Sequence, residues 1–98
     1  MNTANLQIEG ILTAMSSLLE ALRGKGLLTQ QEIDEVLDGA ERAVSKESEH
    51  RDELRAAHLA AIKFPIRFLR VTNNRTDGEP LSFGRIAAMV GETKPDQW

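Results

Sequence analysis

The amino-acid sequence predicts an all-α fold, and three observations carry the prediction. Apolar residues recur at helical spacing, most clearly in NLQIEGILTAMSSLLEALRG. Helix ends are signposted by capping residues and glycines. The one stretch whose aromatic and β-branched content would suit a strand, PIRFLRV, has no evident second strand to pair with. The architecture expected is an antiparallel helical hairpin with one long helix and a short C-terminal helix, completed into a four-helix bundle by a second copy. At 98 residues the chain makes one small domain.

The first helix is expected over residues 5–24. Ile8, Ile11, Leu12, Met15, Leu18, Leu19 and Leu22 form one amphipathic band facing a core. Gly24-Lys25-Gly26 ends it, glycine supplying a left-handed cap and lysine suiting the negative end of the dipole. A second helix begins after Thr29, which forms a capping box with Glu32, while Leu28 and Ile33 occupy the positions of a hydrophobic staple. Ile33, Val36, Leu37, Ala40 and Val44 continue the stripe. The turn between these helices is short, so the two are expected to lie antiparallel.

From Ser45 to Phe64 the chain has no glycine or proline. The same wheel keeps Leu54, His58 and Ile62 on the apolar face, together with an i,i+4 pair, Glu47 and Arg51. The reading adopted is a single helix over 30–64, roughly 50 Å long. The rival is a break near Ser45 or Ser48, either of which could cap a new helix. Pro65 then punctuates, leaving 65–72 as a short helix or extended segment and 73–81 (NNRTDGEP, with Leu81) as a loop. Ser82 caps a last short helix over 82–91, and 92–98 form a tail.

Composition closes off several chemistries. There is no cysteine, so disulfides and thiolate metal sites are excluded. The N-terminal MNTANLQIEG has neither basic residues nor an apolar run, and no stretch is apolar enough to span a bilayer, so a soluble cytoplasmic protein is expected. Charge is uneven: six Lys/Arg against eleven Asp/Glu over residues 1–62, and six against four over 63–98. An acidic body with a mildly basic end falls short of a nucleic-acid footprint. No serine sits in a nucleophile motif, and Gly24-Lys25-Gly26 closes a helix where a phosphate loop would open one. Glu47-Ser48-Glu49-His50 has the Glu-x-x-His spacing of di-iron bundles, but Glu9 and Glu20, the carboxylates of the first helix, lie well off its apolar face. No catalytic residue, metal or cofactor is expected.

Residues 81–91, LSFGRIAAMVG, resemble the first helix and turn of a bacterial helix-turn-helix. They also resemble a segment of alkyltransferase-like DNA-repair proteins, through Ser82, Gly84, Ile86, Ala87 and Gly91. The alkyltransferase reading fails for want of its cysteine nucleophile. The helix-turn-helix reading needs a recognition helix of two turns or more, and the ETKPDQW that follows is short and contains Pro95. The expectation is therefore a short amphipathic helix docking Ile86, Met89 and Val90 onto the body.

NLQIEGIL and GLLTQQEIDEVLDGAE are similar to short bacterial helical-hairpin proteins of uncharacterised function, a resemblance that spans about the first 45 residues. It implies a helical hairpin in a bacterial cytoplasm and carries over no catalytic residue. A helix of 20 residues covers only half of one running from 30 to 64. The remaining stripe is therefore expected to be an interface, in a homodimer or with another protein, made by Glu47, Arg51, Leu54, His58, Ile62 and Leu69. The function expected is that of a non-enzymatic helical adaptor or regulator. The alternative is a nucleic-acid-associated regulator contacting phosphate through Lys63, Arg67, Arg70, Arg75 and Arg85.

Overall fold

The structure, a computed structural model, describes residues 3–51, 56–75 and 82–92. Among these it contains four helices and no strand: α1 (Thr3–Gly24), α2 (Gln30–Ser48), α3 (Ala56–Asn73) and α4 (Phe83–Glu92).

The helix ends set by local chemistry fall where the sequence puts them. α1 stops in a Schellman arrangement: the Gly26 N–H donates to the Arg23 carbonyl and the Leu27 N–H to the Leu22 carbonyl, with Gly26 at φ 72°. Thr29 and Glu32 form the capping box. The Glu32 N–H donates to Thr29 Oγ1 at 3.0 Å, and the Thr29 N–H to Glu32 Oε1 at 2.8 Å. Ser82 caps α4, its Oγ accepting from the Arg85 N–H.

The helix expected over 30–64 is two helices. α2 ends at Ser48, where the backbone tightens into bonds from Glu49 to Lys46, His50 to Glu47 and Arg51 to Ser48. Ser48 Oγ also donates to the Ser45 carbonyl at 2.6 Å. The break therefore comes at the second of the two serines considered. The physical reason is burial. SKESEHRDE places no large apolar residue between Val44 and Leu54, so continued helix there would rest on propensity alone, whereas folding back buries the face of the next helix. Residues 65–72 are neither extended nor a separate helix; they lie in α3, which runs through Pro65. Proline costs that helix one backbone bond, and the packing of Phe64 and Phe68 on either side outweighs the loss. The expected loop over 73–81 is described only at its start, and the tail beyond Glu92, Trp98 included, lies outside the described residues.

α3 is the hub. It packs closely against α2, α1 and α4, and Phe68, Leu69, Arg70 and Val71 are buried in succession, as happens only in a helix surrounded on all sides. The close antiparallel pair is thus α2 with α3, not α1 with α2: Gln30 meets Asn73, Asp34 meets Arg70, and Glu41 meets Arg67. α1 runs alongside α3 in the same direction, and Arg23 near its end hydrogen-bonds Asn73 near the end of α3. The core is Leu12, Ile33, Leu37, Phe68, Leu69, Val71, Ile86 and Val90. α4 closes one side as expected, with Ile86 and Val90 buried, Met89 packed on the cluster and Phe83 stacked at 5.2 Å from Phe68.

Candidate functional site

Two features stand out: a charged seam between α2 and α3, and an apolar groove between α1 and α3. In the seam, Arg70 is 5% exposed. Its Nε lies 3.4 Å from Asp34 Oδ1, and its Nη1 lies 3.5 Å from Asp38 Oδ1 and 3.6 Å from Glu41 Oε1. Arg67 Nη2 lies 3.5 Å from Glu41 Oε2. A buried guanidinium is tolerated only when its charge is met, and three carboxylates one helical turn apart on α2 meet it. Asn73 continues the stitching: its Nδ2 donates to the Gln30 carbonyl at 3.0 Å, its own carbonyl accepts from Gln30 Nε2 at 3.1 Å, and its Oδ1 accepts from Arg23. Asn74 Nδ2 donates to Asp34 at 3.1 Å. This network fixes the register of α2 on α3 and ties in the end of α1. Asn73 and Asn74, read from composition as loop, are its hidden members.

This placement corrects two expectations. Arg67 and Arg70, two of the expected phosphate contacts, lie instead against carboxylates of their own chain on α2. Leu69, expected at an interface with a second copy or another protein, is in the core at 5% exposed. The other residues of the two sets are not brought together. Glu47, Arg51 and His58 are exposed, Ile62 is 37% exposed, and Leu54 lies outside the described residues. Lys63 and Arg75 are half-buried and Arg85 is exposed on α4. Glu47 and His50 are both exposed, and among the described residues no group of three His, Asp or Glu side chains is placed to hold a metal.

The groove comes from a change of residue size along α3. Toward the C-terminal end the side of α3 that lines the groove carries Phe64 and Leu69; toward the N-terminal end it carries Ala57, Ala60 and Ala61. Small side chains opposite the first half of α1 leave a cleft of about 1260 Å³, with Ile8, Ile11 and Met15 on one wall and those alanines on the other. α1 is also rotated relative to the expected single band. Leu12 and Ser16 are buried, with Leu19 packed beside them, whereas Ile8, Ile11, Met15 and Leu18 are 42%, 58%, 43% and 60% exposed. Half of the amphipathic face therefore points away from the chain's own core.

Among the described residues, fold and site together define an all-helical arrangement with an open, largely apolar groove along its first helix. Among the described residues no helix is long and apolar enough to cross a membrane. Comparison with protein-family models, curated proteins and solved structures finds no match to this chain.

Proposed function

We propose that this chain is a non-enzymatic helical interaction module, an adaptor or regulator that works as a homodimer in a bacterial cytoplasm. One observation carries the reading: four large apolar side chains lie exposed in a row along α1, beside a groove whose other wall is also apolar. An uncovered face of that kind marks an interaction surface more often than an accident of folding. The likeness of the first 45 residues to bacterial helical-hairpin proteins supplies the bacterial and cytoplasmic part of the proposal.

The nucleic-acid alternative loses its two central residues, because Arg67 and Arg70 are neutralised by α2. Its remaining cations, Lys63, Arg75 and Arg85, are spread over α3, the segment after it and α4. Light scattering after gel filtration, over a hundredfold range of concentration, tests the proposal. Twice the chain mass is expected, and a monomer throughout would overturn the homodimer. A salt series against mixed DNA and RNA tests the alternative, for which binding must weaken steeply as salt rises.

A further inference from the structure

We infer that the uncovered face is filled by α1 of a second copy of this chain, running antiparallel to the first and seated against the groove. The inference rests on the homodimer proposed above and gives it a surface and a geometry different from those read in the sequence.

The spacing is the first argument. Ala4, Ile8, Ile11, Met15, Leu18 and Leu22 step by four, three, four, three and four. That is the 3.5-residue repeat of a seam facing another helix. Leu12 and Ser16, buried, and Leu19, half-buried, lie beside this seam rather than in it, so the chain's own core uses one edge of α1 and leaves Ile8, Ile11, Met15 and Leu18 exposed.

Charge and symmetry point to a second copy. The chain has a net charge of −3, so two copies repel at a distance. The seam and its outer flank of Gln7, Ala14 and Ala21 carry no charge, and Glu9 is the one charged residue in the lining of the groove. The steps also read the same from either end. Turned about a twofold axis near Thr13, Ala4 falls opposite Leu22, Ile8 opposite Leu18, and Ile11 opposite Met15. Each pair then occurs twice, as an isologous interface requires.

Direction follows from the neighbours. α1 and α3 lie side by side in the same sense, with their dipoles aligned. An antiparallel α1 resting on both opposes both, and the alanine stretch of α3 leaves it room.

The absence of cysteine makes the test clean. Ile11→Cys and Met15→Cys variants are purified separately and oxidised gently, each alone and as a mixture. The mixture is expected to give a disulfide-linked heterodimer in large excess. Either variant alone places its two sulfurs in register about 6 Å apart along the axis, too far for easy closure. In parallel, Ile11→Glu is expected to weaken the dimer at least about thirtyfold in sedimentation with its helical circular dichroism unchanged, since Ile11 is exposed. Val36→Glu, at an exposed site on α2, leaves the dimer intact. Equal cross-linking of each variant alone, or a dimer indifferent to Ile11→Glu, overturns this inference and leaves the homodimer standing. A monomer at every concentration overturns both.

Discussion

Within α3, Phe68 to Val71 are buried in succession and Asn73 is buried after them, while Ala57, Ala60 and Ala61 two turns or more upstream face solvent. The two halves belong to one helix and have opposite surroundings. Large residues and an arginine recruit α1, α2 and α4 around the C-terminal half. Alanines at the N-terminal half satisfy helix propensity without filling space. A 98-residue chain buries only a modest share of its surface, and here that burial is concentrated at one end of the hub helix, which leaves the other end available for contact with something else.

The crowded half of α3 is most sensitive at Phe68. Phe68→Ala removes a fully buried ring from the centre of the fold and is expected to cost about 3–5 kcal/mol, read as a lowered midpoint of urea unfolding or as loss of the folded state. Next comes Arg70→Leu, which removes the guanidinium shared by Asp34, Asp38 and Glu41 and leaves Arg42 on Asp38 and Arg67 on Glu41. A cost of about 3 kcal/mol is expected, held below the upper limit because Asp34 and Asp38 keep access to water. Asn73→Ala withdraws the partner of both Gln30 and Arg23 and is expected to cost about 1–2 kcal/mol in the same assay. At the opposite end, Ala60→Lys sharpens the contrast: stability should stay within about 0.5 kcal/mol, while light scattering should show a weaker dimer because the charge sits on the groove wall. A loss of stability there comparable to that of Asn73→Ala would mean that the N-terminal half is as much core as the C-terminal half.

What was legible in the sequence is what neighbouring residues decide. The capping box at Thr29 and Glu32, the glycine stop after α1 and the serine cap of α4 each depend on groups within about five positions, and all are found in place. The end of α2 was legible only as one of two alternatives, because nothing local forbids helix in SKESEHRDE; the fold-back of α3 decides it. Arg67 and Arg70 were misread as surface cations because their carboxylates lie 26 to 36 positions away, on a helix whose pairing with α3 no pattern announces. The rotation of α1 escaped for a related reason. Its amphipathic band is plain, but a wheel cannot tell which part of a wide band meets the chain's own core. The four-three alternation of the outer residues, set apart from Leu12 and Leu19, was the signal available.

Pro65 sits at the junction of the two halves of α3, and having no N–H it leaves the Ala61 carbonyl without its helical donor. One rung is therefore missing from the ladder between the crowded half and the open half, so the first turns of α3 can unwind without drawing Phe68 or Arg70 out of the core. Amide protons of Ala57 to Phe64 should exchange with solvent through this partial opening, and those of Phe68 to Asn73 only when the whole domain unfolds. Docking of a second helix on the alanine stretch would slow the first group and leave the second unchanged, making the proline a boundary between two rates of exchange within one continuous helix.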